Sequence, residues 1–170
     1  MVKPRVEAHE LLYGALLAAL AVMIPTAFGG WLQIVVGPFS ATLASHVPTM
    51  LAMFISPVVA ALVGIGSALG FLMTLGPVIA GRAAVHILIG VMGAQLVRRG
   101  YTRGGTLALT ALPHAAGEAV IVTLFGFEPY TALVVVGLGT VLHHGIDSAI
   151  TLAVVGSLAK TGVKLNRSSL

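Results

Sequence analysis

The chain has 170 residues, 58% hydrophobic and 8% charged, with a mean hydropathy of +1.05. A soluble domain carries roughly 25% charged residues, so a water-covered globule is excluded and lipid is the solvent for most of the chain. The absence of cysteine excludes disulfides and thiolate metal sites. The pI of about 10.0 does not point to nucleic acid, because the basic residues cluster at predicted helix ends, as topology determinants do.

At about 20 residues per span, the length accommodates six crossings with short loops and no separate soluble domain. The expectation is therefore an all-α integral membrane protein, a single transmembrane domain over residues 1–170. The first helix is placed at 10–28. It is read as a span, not a signal peptide, because no small-residue cleavage site and soluble domain follow it. Pro25 sits in its last turn and Gly29-Gly30 ends it. Trp31 to His46 is too polar and too broken to span, so it reads as a long re-entrant or lid-like loop. A short second helix covers 47–55. Ser56-Pro57 makes a corner, with Pro57 suited to the first turn of the next helix.

The third helix covers 57–75 and breaks at Gly76-Pro77, and the fourth covers 77–97. A basic turn holding Arg98, Arg99 and Arg103 leads to the fifth, 104–125, with Pro113 as an expected kink. After a short loop the sixth covers 130–159, and the polar tail from Lys160 is expected to be partly disordered. Six crossings put both termini on one side. The loops of that side, with the termini, hold Lys3, Arg5, Arg98, Arg99, Arg103, Lys160, Lys164 and Arg167, all but one of the nine basic residues. The positive-inside rule then makes this a multi-pass protein of the cell membrane with both termini cytoplasmic. Trp31 and Tyr130 fall on the outer side, where an aromatic belt belongs.

The ninth basic residue, Arg82, lies inside a span, as do Glu118 and Asp147. A charge there is costly and faces a protein interior or a wet cavity, usually with a partner. Each has a histidine four residues away: Arg82 with His86, His114 with Glu118, His143 with Asp147. That spacing sets both members on one helix face. Counting about 1.5 Å per residue from the outer ends puts Arg82 roughly 8 Å deep, Glu118 roughly 12 Å and His86 roughly 14 Å. On the same count His114 and His143 lie at roughly 18–20 Å and Asp147 at roughly 25 Å. Arg82, His86 and Glu118 are thus expected around one cavity in the outer half, with His46 closing it from above.

A plainer reading stands beside this one. Arg82 and Glu118 form a structural ion pair, His114, His143 and His144 bond between helices, Asp147 caps a polar network with His143, and His46 is an ordinary interfacial histidine. A metal site is not expected, because the histidines lie on different helices at different depths and no HExxH pattern is present. A buried guanidinium suits a carboxylate, to which its planar fork donates two parallel hydrogen bonds. A histidine or glutamate serves a ring nitrogen, and Trp31, Phe39 and Tyr130 are expected as walls. The ligand class is a small anionic ring compound. Small residues at four-residue spacing, Ala15 with Ala19 and Gly66 with Gly70, serve either internal packing or a partner helix. No nucleotide-binding motif is present, so active uptake draws its energy from a partner or an ion gradient. A stand-alone ion-coupled carrier or proton-linked channel is the alternative, although no internal repeat is visible. An intramembrane enzyme lacks a nucleophile–base constellation.

The segment His46-Val-Pro-Thr-Met-Leu-Ala-Met-Phe-Ile-Ser-Pro57, followed by a glycine-rich helix, resembles the substrate-binding S components of energy-coupling factor (ECF) vitamin transporters. Ala15-Leu-Leu-Ala-Ala19 is similar to the small-residue motif of their first helix. Pro77-Val-Ile-Ala-Gly-Arg82, Ala83-Ala-Val-His86, the His114 to Glu118 stretch and His143-His-Gly-Ile-Asp147 look most like the niacin-type members. The resemblance implies capture of a vitamin from the outer face, then association with a membrane coupling subunit and two cytoplasmic ATPases that use ATP. It also implies that Ala15 and Ala19 face the coupling subunit, that the loop after the first helix gates the site, and that the protein topples in the bilayer to deliver its cargo. No cofactor is implied in this chain.

Overall fold

A computed structural model describes residues 7–161. The expected disorder of the tail and the basic residues Lys3, Arg5, Lys164 and Arg167 lie outside the described residues. The architecture is a helical bundle capped at one end by a β-hairpin. Helix α1 (Ala8–Phe28) starts at a capping box between Glu7 and Glu10 and runs through Pro25.

A two-stranded antiparallel hairpin, β1 (Gln33–Val36) and β2 (Phe39–Thr42), follows. The all-α membrane expectation fits, and the Trp31 to His46 segment, expected as a re-entrant or lid-like loop, holds this hairpin. Val36 pairs with Phe39, so Gly37-Pro38 forms a two-residue turn. Gly37 takes φ +58, which glycine adopts without penalty, and proline fixes the next φ. Ser40 and Thr42 point inward while Ile34, Val35 and Val36 are exposed.

Helix α2 (Val47–Met53) is buried along its whole length. Its seven residues reach only about 10 Å, a third of the hydrocarbon core of roughly 30 Å, so it does not span alone. Helix α3 (Pro57–Arg98) begins at a Ser56 cap and contains one non-helical residue, Gly76 at φ +79. There it folds back on itself. Gly64 of the first arm lies against the backbone of Ile87 in the second, and Gly90 lies against Ala60. These are the two helices expected at 57–75 and 77–97. A Cβ on Gly64 would meet Ile87 N at 2.7 Å, so this close approach requires glycine.

Helix α4 (Arg103–Leu124) is capped by Thr102 and continues through Pro113. The last span was expected to be α-helical from 130. Its first eight residues, Thr131–Leu138, are instead a π-helix that leads into α5 (Gly139–Lys160). Among the described residues, four helices are long and apolar enough to cross a membrane, counting the folded α3 once and Thr131–Lys160 as one.

The packing fixes the directions of the helices. Gly66 and Gly70 of α3 lie on Ala18 and Val22 of α1, so α1 and the first arm run parallel. Gly81 and Gly117 bring the second arm and α4 together in antiparallel fashion. The pairs Thr140–Glu118 and His144–His114 set α5 antiparallel to α4. The start of α1, the Ser56 corner, the Arg98–Arg103 turn and the end of α5 therefore share one end of the bundle. The hairpin, Gly76 and the start of the π-helix share the other. All described Lys and Arg residues except Arg82 belong to the first end.

Candidate functional site

Under the hairpin, five elements deliver polar groups to one buried centre. Arg82 comes from the second arm of α3 and Glu118 from α4, and both are almost fully enclosed. Arg82 Nε donates to Glu118 Oε2 at 2.9 Å, and Nη2 donates to the same oxygen. Thr140, from the start of α5, donates to that oxygen too, at 2.6 Å. The remaining bonds of the guanidinium go to the hairpin, with Nη1 on Pro38 O at 2.9 Å and Nη2 on Ser40 O at 3.4 Å. Phe39 lies over the guanidinium, its ring centre 5.3 Å from Cζ, within cation–π range.

The histidines converge far more closely than their depths along separate helices suggest. The His46 ring centre is 4.7 Å from those of His86 and His114 and 4.3 Å from that of His143. His46 is thus the middle of the cluster and not a lid above it. The cause is the descent of residues 43–46 from the hairpin into the bundle. Asp147 anchors that descent, accepting the backbone N–H groups of Ala44 at 2.9 Å and His46 at 3.0 Å. Ala44 between them is held at φ +65, a conformation costly for a residue with a Cβ. His143 Nε2 lies 3.1 Å from Thr42 O and 3.2 Å from Asp147. The i,i+4 pairs His114–Glu118 and His143–Asp147 both make contact. His86 and Arg82 meet only through Glu118, whose Oε1 is 4.0 Å from His86 Nε2.

A run of hydrogen bonds crosses the cluster. His144 Nε2 donates to Leu107 O at 2.9 Å, His144 Nδ1 meets His114 Nδ1 at 3.0 Å, and His114 Nε2 meets Glu118 Oε1 at 3.1 Å. Both ends of the run are acceptors, a carbonyl and a carboxylate. Its three bonds need three protons, whereas two neutral imidazoles supply two. The run is thus one proton short when both rings are neutral, and the tautomers decide which of its bonds lacks it. His86 Nδ1 meets Ser67 Oγ at 2.9 Å while its Nε2 is buried without a hydrogen-bond partner. His46 Nδ1 comes within 3.1 Å of Asp147 Oδ2 but is out of line for a hydrogen bond.

The expectation against a metal site rested on the histidines' separate helices and depths, and that reason does not hold in the folded chain. Donor atoms of His46, His86, His114 and Glu118 lie within 4.8 Å of one another, as do those of His46, His143 and Asp147. Two expected wall residues fall outside the centre. Trp31 and Tyr130 are 90% and 67% exposed at the hairpin end and do not line it. Phe39 is the one aromatic of the three that does. The hairpin carbonyls, Thr140 and Ser67 have no place in the sequence reading, whereas His144 does bond between helices, to His114. The hydroxyls carry no local signal, but Ile34-Val-Val36 before Gly37-Pro38 is a β-branched run before a turn.

The cavity between Ser40, His46, Arg82, His86 and Glu118 holds about 20 Å³, enough for about one water or an ion. Larger grooves flank the hairpin. One of about 260 Å³ lies toward Leu75 and Phe127, and one of about 230 Å³ toward Leu142 and Ile146. The space beside Arg82 is therefore small, with larger grooves on either side of the hairpin.

Ala15 and Ala19 are exposed on α1, whereas Gly14, Ala18 and Ala21 turn inward. Gly66 and Gly70 are buried against α1, so that pair serves internal packing.

Among proteins of known function, the chain is similar to the niacin transporter NiaX of Lactococcus lactis subsp. cremoris, with 36% identity over 96 residues. That alignment covers 56% of this chain and 42% of the relative, so the chain spans less than half of the relative's length. No family model and no solved structure matches the chain. The similarity to a niacin transporter agrees with the niacin-type resemblance drawn from the residues.

Proposed function

We propose that the chain is the membrane-embedded substrate-binding subunit of an ECF-type importer, and that its ligand is nicotinate. One observation carries the ligand class: a buried arginine whose two terminal nitrogens are held by hairpin carbonyls, Pro38 O on Nη1 and Ser40 O on Nη2. Displacing the hairpin frees one N–H on each nitrogen, the spacing of a bidentate carboxylate fork. Glu118 keeps its own bonds to Nε and Nη2, so the guanidinium stays oriented while the fork is exchanged. The hairpin is thus the gate. The aromatic face of Phe39 and the cluster of His46 and His86 receive the ring. The name of the bacterial relative narrows the anion to niacin.

The end bearing Arg98, Arg99, Arg103 and Lys160 is cytoplasmic by the positive-inside rule, which turns the hairpin outward. In that orientation α2 and the descending residues 43–46 together complete the second of six crossings. The exposed Ala15 and Ala19 offer a flat strip to the coupling subunit, and the two ATPases beneath it supply ATP hydrolysis. Affinity is high because a desolvated guanidinium meets a carboxylate in low dielectric.

A second reading has one observation in its favour. The His144–His114–Glu118 run, one proton short when both rings are neutral, is the kind of relay a proton-coupled carrier uses. Uptake separates the two. Nicotinate accumulation by cells expressing this chain should require the coupling subunit and active ATPases. Accumulation in vesicles holding this chain alone, collapsed by a protonophore, would establish the carrier instead.

A further inference from the structure

Anion capture by Arg82 makes no use of the ring nitrogens of three buried imidazoles. His46, His86 and His114 each offer a ring nitrogen, and with Glu118 Oε1 the four donors lie within 4.8 Å of one another. Donors around a tetrahedral zinc, at bonds of 2.0–2.1 Å, stand about 3.3 Å apart, so small side-chain rotations close the set. Outer contacts hold the ligands in place. Ser67 fixes His86 Nδ1 and turns Nε2 inward, and His144 fixes His114 Nδ1. Arg82 and Thr140 occupy Glu118 Oε2, leaving Oε1 toward the rings. Metal-binding histidines are oriented by such partners on their second nitrogen.

Two observations point to a cation-binding role for this centre. His86 Nε2 is buried without a partner. With His144 Nε2 donating to Leu107 O and His114 Nδ1 donating to His144, neutral rings leave His114 Nε2 facing Glu118 Oε1 with no proton between them. A proton on His114 satisfies the second and leaves the first. A metal ion at the centre satisfies both. Charge favours the metal as well. With neutral histidines, Arg82 opposes Glu118 and Asp147, and the buried site carries one net negative charge, which repels an anion. A dication reverses that sign, and a bound carboxylate then neutralises the site.

We propose that His46, His86, His114 and Glu118 bind one divalent first-row transition-metal ion of the zinc type, and that the loaded centre takes the ring donor of the pyridine carboxylate as a fifth ligand. The second half of this proposal rests on the nicotinate reading above. The imidazole-rich donor set suits Zn²⁺, Co²⁺ and Ni²⁺ and disfavours Mg²⁺ and Ca²⁺, which take oxygen ligands.

The test uses the full chain, purified in detergent, stripped with a chelator and titrated with Co²⁺ and Zn²⁺. One Co²⁺ should bind per chain, with the strong visible absorption of four- or five-coordinate cobalt, and Zn²⁺ should displace it. His86→Ala and His114→Ala should each weaken binding by more than about a hundredfold, beyond the roughly 10–100-fold expected of the outer-contact change Ser67→Ala. The exposed His9→Ala should leave binding unchanged. Should His86→Ala or His114→Ala not fold, the Ser67→Ala affinity and the Zn²⁺-dependent rise in wild-type Tm decide the matter. No retention above background, six-coordinate cobalt absorption, or affinity indifferent to His86 and Ser67 would overturn the metal site. Nicotinate is then titrated with and without Zn²⁺. Binding only to the loaded chain supports both proposals. Equal binding under chelation overturns the metal–ring bond and keeps the nicotinate reading. A metal that binds beside nicotinate that never does keeps the metal and removes the vitamin.

Discussion

Arg82 Nε and Glu118 Oε2, from facing helices, lie 2.9 Å apart with both side chains about 4% exposed. A pair this deep is sensitive to losing either member. Glu118→Gln leaves an unneutralised guanidinium and should destabilise the fold by about 3–5 kcal/mol. Thermal unfolding in detergent measures this. The double variant Arg82→Met, Glu118→Leu should recover much of the loss while abolishing nicotinate binding.

Phe39 rests on the guanidinium from the hairpin, and its ring also fills the space beside Gly139. Phe39→Ala removes a cation–π contact worth about 0.5–2 kcal/mol. The loosened gate should raise both association and dissociation rates of nicotinate, with affinity falling up to about thirtyfold, since 1.4 kcal/mol is tenfold. Stopped-flow fluorescence of Trp31, the single tryptophan and part of the hairpin end, reports the motion.

Asp147 accepts two backbone N–H groups around the strained Ala44. Asp147→Ala leaves both donors buried without partners, at a cost of about 1–3 kcal/mol each. Hydrogen exchange across residues 43–46 should accelerate while the interior of α4 stays protected. Ala44→Gly, which removes the Cβ from the left-handed conformation, should hold or raise stability.

Glycines that permit close helix contact should be separable from those that do not. Gly64→Ala puts a Cβ 2.7 Å from a backbone nitrogen and should cost about 1–3 kcal/mol by overpacking. Gly156→Ala meets nothing within 4 Å and should leave Tm unchanged or slightly raised.

Ala15→Trp and Ala19→Trp place bulk on an exposed face of α1. Nicotinate binding by the isolated chain should be retained while uptake with the coupling module is lost. Normal uptake in both variants would refute the partner face.

The membrane character, the break at Gly76 and the gathering of basic residues at one end were legible in the sequence, because hydropathy, glycine–proline punctuation and charge act locally. The pairing of Arg82 with Glu118 was legible too, because a buried charge demands a partner. The meeting of four histidines was not. It depends on residues 43–46 dipping inward to Asp147, a contact across 101 positions between His46 and Asp147 that no periodicity encodes. The hairpin is hard to read in the sequence because Pro38 and the neighbouring hydroxyl residues look like breakers, although they form a turn and an inward polar face. Trp31 and Tyr130 suit a site by their chemistry, but they are exposed at the hairpin end.

The most direct measurement is an equilibrium titration of radiolabelled nicotinate against the purified chain and its Arg82→Ala variant, with nicotinamide as competitor. Saturable binding at one site per chain, lost on removing the guanidinium and little affected by the uncharged amide, is the expected result. Undiminished binding by Arg82→Ala, or equal competition by nicotinamide, would contradict carboxylate capture beneath the hairpin.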